Sequence, residues 1–239
     1  LVDYTMRLAL PLMFFALLSA RAPAPVRMTP VAIELFTSQG CSSCPPADAL
    51  AEKLAKEPNI VVLTRPVTYW DRLGWKDTLA REDNTQLQRA YSTRGGEGAG
   101  VYTPQAMVQG VSAAVGSDEA RLRRLISAEK QKPGPAISAR ATADGGRVVS
   151  IKQDVKTDAQ VILLALKGQT IVRIGSGENG GRVVRYTNVV LSEMNAGRWR
   201  GGDAVITVPG KLLKAPGADR YALILREGAA GRIVAARYI

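Results

Sequence analysis

The sequence predicts an α/β domain followed by an all-β sandwich-like domain, on three observations. The first half alternates apolar strand-like runs with helix-like runs, an order that places strands in parallel. A segment rich in proline and glycine, residues 131–135, then marks a linker. Beyond it, short alternating runs separated by turn residues are typical of a sandwich of roughly seven or eight strands. The predicted boundaries are residues 1–24 for a signal peptide, 29–132 for the first domain and 136–239 for the second.

The chain opens with the pattern of a secretory signal. Met6-Arg7 precedes an apolar stretch, residues 8–18, that is too short for a stable membrane anchor. Small residues follow, and Pro23 and Pro25 leave the cleavage point open. The pattern predicts an exported protein, periplasmic or secreted, with no stable membrane span after signal removal; an uncleaved anchor is the alternative.

Composition limits the classes of partner. The 239 residues, 46% of them hydrophobic, are enough for one large or two small domains with real cores. The net charge of +11 permits binding to anionic surfaces. However, the basic residues are scattered and no nucleic-acid motif is present, so the sequence predicts no nucleic-acid partner.

The spacing of apolar residues predicts each strand and helix of the first half. Continuous apolar runs predict buried strands, and apolar residues at helical spacing predict helices. Ser117 can cap the last of these helices. The predicted elements are strands over 31–36, 60–63 and 105–109, and helices over 48–56, 79–91 and 117–130.

In the second half, Lys167-Gly168 and other glycine-containing pairs predict hairpin turns. The glycine-rich segment 175–181 lacks the Lys-Ser/Thr ending of a phosphate loop, so we interpret it as a hairpin or interface loop. The predicted strands are 136–142, 147–153, 160–166, 170–175, 183–191, 204–208, 221–226 and 233–238.

Cys41-Ser42-Ser43-Cys44 contains the only two cysteines of the chain. A strand, a turn with Gly40, Cys-x-x-Cys and a helix make the pattern of a thioredoxin-like redox site. The unpaired N–H groups and the dipole at a helix start stabilise a thiolate. We therefore predict Cys41 as the exposed nucleophile and Cys44 as the resolving thiol.

The cysteine pair has three alternative uses: a zinc site, a structural disulfide and Cu(I) binding. A zinc site needs about four ligands, and the chain has no histidine and no second cysteine pair, so no metal site is predicted. A structural disulfide stays open, although so short a loop gains little from closure. Cu(I) binding by the two thiolates also stays open.

Two further positions are candidates for the same chemistry. Glu34 lies among apolar residues in the strand before the cysteines. A buried, unpartnered carboxyl there would accept the proton of Cys44, whereas an ion pair with a basic residue such as Arg65, or simple exposure, is the alternative. Thioredoxin-like folds place a cis proline opposite the Cys-x-x-Cys helix. We therefore predict a cis bond between Thr103 and Pro104, with both residues binding substrate; an ordinary edge-strand proline is the alternative.

Tyr69, Trp70 and Trp75 form an aromatic loop between the second strand and the next helix. Such residues commonly cap a core. Alternatively, they line an apolar groove that receives a substrate, and we assign them as candidate substrate-binding residues.

Several motifs in both halves of the chain carry a resemblance to a known family. They are residues 31–48, Tyr69-Trp70-Asp71, residues 73–77, 88–91 and 101–105, Gly177-Glu178-Asn179, Gly181 and Asn188-Val189-Val190. These motifs closely resemble the domain-of-unknown-function 1223 family of exported bacterial proteins with a thioredoxin-like domain. The resemblance covers nearly all of the mature chain and implies a fold and an exported, periplasmic or secreted, bacterial location, but no established substrate. Where the family usually has His-Val-Asp, this chain has Pro66-Val67-Thr68, so any proton-transfer or metal role of that histidine or aspartate is absent.

Together these features predict an exported thiol–disulfide oxidoreductase that acts, without a cofactor, on protein thiols and disulfides of the cell envelope. Cys41 attacks, Cys44 resolves and Glu34 moves protons. Two alternatives stay open: a non-enzymatic binding or assembly protein with a structural disulfide, and a Cu(I)-binding protein. The direction of exchange stays open as well, because it depends on the reduction potential.

Overall fold

The computed structural model describes Val2, residues 30–153 and residues 157–239. Apart from Val2, the predicted signal peptide over residues 1–24 lies outside the described residues. None of the described helices combines the length and apolar character needed to cross a membrane.

In chain order the elements are β1 (Val31–Thr37), α1 (Pro45–Leu54), β2 (Ile60–Pro66), α2 (Glu82–Arg94), β3 (Gln105–Val108), β4 (Ser112–Val115), α3 (Glu119–Lys130), β5 (Ala136–Ala141), β6 (Arg147–Lys152), β7 (Ala159–Arg173), β8 (Val183–Trp199), β9 (Ala204–Val208), β10 (Arg220–Arg226) and β11 (Ile233–Tyr238).

The predicted fold class, an α/β thioredoxin-like domain followed by an all-β sandwich-like domain, is wrong. The protein is mostly β, about 20% helix and 40% strand, and its largest element is one mixed sheet of eight strands. The strand order is β11-β10-β7-β8-β2-β1-β3-β4, so strands of both halves share this sheet. Within the described residues only β5, β6 and β9 form a second, separate sheet. The domain boundaries near residues 132–136 stay a prediction.

The reason for the error lies at β2. All seven of its residues are buried, so this strand needs a neighbour on each edge as well as covered faces. β1 pairs with one edge in parallel, as the intervening helix requires. On the other edge β8 lies parallel, with Thr64 opposite Val189. Local patterns predicted β1, β2 and β3, but they missed β4 and divided β7 into two strands. They also could not show that a distant strand completes the central sheet.

Apolar side chains from both halves share one core cluster on a face of this sheet. Ala32, Val61 and Leu63 of β1 and β2 pack with residues of β7, β8, β10 and β11. On the opposite face, α1 and α3 cover β1, β2, β3 and β4 with their own apolar stripes. The second half is therefore packed against the first through buried apolar contacts.

The helix that follows the cysteines begins at Pro45, earlier than predicted. Proline is favoured at a helix start because an N–H at that position would have no partner within the helix in any case, and because its φ angle suits a helix.

In α3 the residue that caps the helix start differs from the prediction. The side chain of Asp118, not Ser117, accepts a hydrogen bond from the N–H of Arg121 at 2.9 Å.

β7 and β8 form a long antiparallel hairpin whose end reaches the first half. The predicted turn at Lys167-Gly168 is wrong, because this pair lies inside β7 and opposite β8. The strands continue to residues 174–182, which we call the hairpin tip. Near the tip, Ile174, Val184 and Tyr186 pack against Trp75 and Leu79 of the first half. The tip is thereby held over the region of the cysteines.

Candidate functional site: a covered disulfide at a helix start

Cys41 and Cys44 are joined in a disulfide, with their Cα atoms 5.4 Å apart. Cys44 stands immediately before α1, whose first residues are Pro45 and Pro46. Gly40 leaves room for the turn beforehand, because a Cβ there would lie 3.2 Å from the Cβ of Trp70. The disulfide therefore sits at the start of α1, as the sequence predicts.

The disulfide is not exposed. Only 1% of Cys41 is accessible to solvent, and Cys44 is fully buried, although Ser42 and Ser43 between them are exposed. The prediction of Cys41 as an exposed nucleophile is therefore not met in this structure. Any reaction at its sulfur requires that part of the surroundings moves away.

The hairpin tip is the part of the second half that covers the disulfide loop. Glu178 accepts a hydrogen bond from the N–H of Ser42 at 3.0 Å. The buried side chain of Asn179 donates to the carbonyl oxygens of Gln39 and Cys41, at 3.0 and 2.7 Å. Hydrogen bonds from Ser42 lower the pKa of Glu178, which keeps this carboxylate charged. The interpretation of residues 175–181 as a hairpin or interface loop is thus confirmed.

Glycines allow the tip to lie this close. A Cβ at Gly175 would approach the Trp75 ring to 2.7 Å, which no side chain tolerates without a shift. Gly177 packs beside the same residue and has a φ of +75°, a conformation that favours glycine. Ser176 adds a 2.6 Å hydrogen bond to the carbonyl oxygen of Gly74.

The peptide bond between Thr103 and Pro104 is cis, as predicted. Pro104 lies close to Ala47, which is in the first turn of α1. A Cβ added at Gly116 would be 3.1 Å from the Cβ of each of these two residues. The cis-proline loop therefore borders the start of α1. Within the described residues, the main chain of Thr103 makes no hydrogen bond to another main-chain group. Its substrate-binding role stays a prediction.

The aromatic residues hold these loops together. Trp70 donates its indole N–H to the Thr103 hydroxyl at 2.8 Å, and Trp75 donates to the side-chain oxygen of Gln39 at 2.8 Å. Tyr69 and Trp70 also pack against the cluster that contains Phe36. These contacts favour the core-capping alternative, and the substrate-binding role of all three aromatic residues stays a prediction.

Glu34 lies in a different environment from the one predicted. It is fully buried, and it binds the guanidinium groups of Arg65, at 2.7 Å, and Arg226. The Tyr91 hydroxyl donates a third hydrogen bond. Burial alone would raise the pKa of Glu34, but Arg226, Arg65 and Tyr91 together bring it below its ordinary value. The ion pair with Arg65, which the sequence left as an alternative, is present. The proton-acceptor role of Glu34 stays a prediction that these contacts do not favour.

Two other buried acids lie at the disulfide, and sequence reasoning missed both. Asp48, 2% exposed, lies on α1 one turn after Cys44 and accepts a hydrogen bond from the Thr37 hydroxyl at 2.9 Å. Asp77 accepts hydrogen bonds from the N–H groups of Gln39 and Leu79, both at 2.8 Å. Burial raises the pKa of Asp77 and raises that of Asp48 well above its ordinary range. The four-residue spacing between Cys44 and Asp48, on the apolar side of a helix, was the available signal.

Among the described residues, no group of three or more His, Cys, Asp or Glu side chains is arranged to hold a metal ion. The Cu(I) alternative concerns the two sulfurs alone, which are joined to each other in this structure. That alternative stays a prediction.

The comparisons with known proteins identify a family, through one family model, and supply no activity. A family model described as "Protein of unknown function (DUF1223)" matches residues 32–226. The crystal structure of protein AGR_C_4864 from Agrobacterium tumefaciens is 28% identical, with a TM-score of 0.77, covering 89% of this chain and 95% of that one. HBP35 of Porphyromonas gingivalis, 13% identical with a TM-score of 0.58, covers 89% of this chain and 75% of that one, and shows likeness of fold alone. No curated protein matches the chain.

Proposed function

We propose that this chain, which belongs to the DUF1223 family, is an exported protein that exchanges disulfides with cysteines of other envelope proteins. The observation that supports the proposal is the placement of the Cys41–Cys44 disulfide. It lies at the start of α1, beside the cis peptide before Pro104, with two buried acids next to it.

The buried acids argue against a disulfide that serves only as a crosslink. No cationic side chain of the described residues is among the groups that act on Asp48 or Asp77. A buried carboxyl without a cation destabilises the fold when it is charged, and a crosslink has no need of it. Groups with perturbed pKa values cluster at reactive sites.

The reaction is a two-electron exchange between two dithiol–disulfide pairs. A thiolate of the client protein attacks the Cys41 sulfur, the Cys41–Cys44 bond breaks, and Cys44 leaves with the electron pair. A second client thiolate then attacks the client sulfur of this mixed disulfide and releases Cys41. The client ends as a disulfide and this protein as a dithiol; the reverse sequence reduces a client.

Access to Cys41 requires the hairpin tip to open. Three hydrogen bonds fix the tip on the disulfide loop, from Ser42 to Glu178 and from Asn179 to two carbonyl oxygens. Each is worth about 0.5–1.5 kcal/mol net, so local opening requires far less free energy than unfolding of the protein. Exchange is therefore gated by the tip, in the way lids gate many active sites.

An extended client segment fits beside the opened site. The N–H and C=O of Thr103, which bond no other main-chain group of the described residues, offer two main-chain hydrogen bonds next to the start of α1. Such pairing accepts many sequences because it uses the client's backbone. A secretory signal pattern and a disulfide, which persists outside the cytosol, support an exported location.

The second candidate is a non-enzymatic envelope protein with a structural disulfide, and the burial of Cys41 favours it. A Cys44→Ser variant separates the two. With a disulfide-bonded peptide as probe, we expect a mixed disulfide through Cys41 that dithiothreitol releases, and none in the Cys41→Ser/Cys44→Ser control. If Cys44→Ser forms no adduct, even when Asn179→Ala is added to loosen the tip, the disulfide is structural.

A further inference from the structure

Asp48 and Cys44 share one face of α1. The N–H of Asp48 donates to the carbonyl oxygen of Cys44 at 3.1 Å, so the two residues are one helical turn apart. Side chains at this spacing are neighbours, with Cβ atoms about 5–6 Å apart. Both side chains are buried, on the side of the helix that faces the sheet.

The Asp48 carboxyl is only half satisfied. One oxygen accepts the hydrogen bond from Thr37 of β1, and the other has no hydrogen-bond partner among the described residues. The titratable groups that face it are Cys44 on its own helix, Asp77 from the loop before α2 and Tyr186 from β8. None of these is a cation, so the hydrogen bond from the Thr37 hydroxyl is what stabilises a negative charge on Asp48 in the described part of the protein.

Asp77 does not have the same freedom. Each of its oxygens accepts a hydrogen bond from a main-chain N–H, one of them belonging to Gln39 just before the disulfide. Its contacts therefore position the disulfide loop. Of the two acids, only Asp48 keeps an oxygen available for a neighbouring sulfur.

We propose that Asp48 exchanges a proton with the Cys44 sulfur during the reaction. This inference rests on the proposed function, and it assigns the proton transfer to a residue other than Glu34. The unpartnered oxygen of Asp48 and its position one turn after Cys44 are the observations that carry it.

One proton moves between Asp48 and Cys44 in each direction of the reaction. When the client thiolate attacks Cys41, the departing Cys44 sulfur takes the proton of the neutral Asp48 carboxyl, giving a thiol and a carboxylate. In the reverse step Asp48 takes that proton back, and the Cys44 thiolate attacks the Cys41 sulfur and releases the client thiolate. No other reactant is needed, because the client supplies the thiol or the disulfide.

Resolution of a mixed disulfide tests the inference directly. Cys41 is joined to a coloured aromatic thiol, and its release by Cys44 is followed as a function of pH. We expect Asp48→Asn to slow release by about 10²-fold, the usual contribution of a positioned acid or base. The pH profile should also lose one ionisation. Asp77→Asn, which removes another buried acid of the same site, is the matched control. It should keep that ionisation and move it to lower pH, because the charge of Asp77 raises the pKa of Asp48.

A milder variant covers the case in which Asp48→Asn does not fold. Thr37→Val removes the hydroxyl that stabilises the Asp48 carboxylate, so the ionisation of Asp48 in the profile should move to higher pH. A purely structural Asp48 would leave the profile in place. If Asp48→Asn and Thr37→Val both release the thiol with the wild-type rate and profile, the inference is overturned while the proposed function stands. If the wild type itself releases none, both fall.

Discussion

Two of the buried carboxyl groups, those of Glu34 and Asp48, differ in what surrounds them. Glu34 meets two guanidinium groups and a tyrosine hydroxyl, which lower its pKa. Asp48 meets a threonine hydroxyl and another acid, and its pKa is raised. Burial is nearly complete at both sites, so burial does not decide whether a carboxyl is charged. The partners decide, and only the acid without a cation is suited to proton transfer at neutral pH.

The largest expected effect is the loss of the charge at the Glu34 site. Glu34→Gln removes the fully buried carboxylate that Arg65 and Arg226 share and leaves them only the partly exposed Glu193 as a counterion. We therefore expect the free energy of unfolding to fall by about 3 kcal/mol, the low end of the range for breaking a buried ion pair. Urea denaturation measures it. The exposed Glu119, which pairs with Lys53, provides a control whose replacement should have little effect.

The folded Glu34→Gln protein should exchange disulfides with an unchanged pH profile, provided it is assayed well below its melting temperature. A profile that loses an ionisation would return the proton-transfer role to Glu34. That outcome would break the comparison between the two sites.

The next effect has the opposite sign. The folded pKa of Asp48 lies above its unfolded value of about 3.9, so the folded state binds its proton more tightly. Stability from this group is fully present below that value and is lost as pH rises through the folded pKa. Asparagine cannot take up a charge, so Asp48→Asn removes this loss and should raise the free energy of unfolding at neutral pH by on the order of 1 kcal/mol, the usual cost of a buried polar group without a partner. Urea titrations at several pH values measure this, and parallel curves for both proteins would contradict it.

Opening the hairpin tip should speed reduction of the disulfide, which lies beside Asp48, and should leave the Glu34 site unchanged. Asn179→Ala removes two hydrogen bonds to the disulfide loop, so reduction by dithiothreitol should be about tenfold faster. Arg173→Ala, an exposed position on the same hairpin, is the matched control. Equal reduction rates for the wild type and Asn179→Ala would show that the tip does not limit access.

The smallest effect concerns the charge at the start of α1. The Glu178 carboxylate occupies the N–H of Ser42, where a Cys41 thiolate would also be stabilised. Two negative charges there repel each other, so the wild-type reduced form is disfavoured. Glu178→Gln should raise the reduction potential by on the order of 10 mV, measured against a glutathione buffer. A lower potential would contradict this reasoning.

Local features of the molecule were predictable from the sequence, and its assembly was not. The strand before Cys41, the helix after it and the cis bond at Pro104 each follow from a few neighbouring residues. The partner of Glu34 illustrates the limit. Arg226 lies 192 positions away in the sequence, and only the joining of both halves in one sheet brings it to β1.

The same limit explains why the sequence singled out Glu34 and not Asp48. Glu34 stood out because its sequence neighbours are apolar, and Asp48 did not, because one polar residue in an amphipathic helix is common. Periodicity shows which residues turn inward. It does not show whether a basic side chain from a distant strand forms an ion pair with an acid among them.

The cover over the disulfide also has a consequence for how the protein is made. Asn179 follows Cys41 by 138 positions, and ribosomes add about 5–20 residues per second. On the order of ten seconds therefore pass between synthesis of the cysteines and synthesis of the segment that hides them. Until that segment has been made and has folded onto the disulfide loop, the cysteines lack its three hydrogen bonds, so first formation of the bond does not require the tip to open.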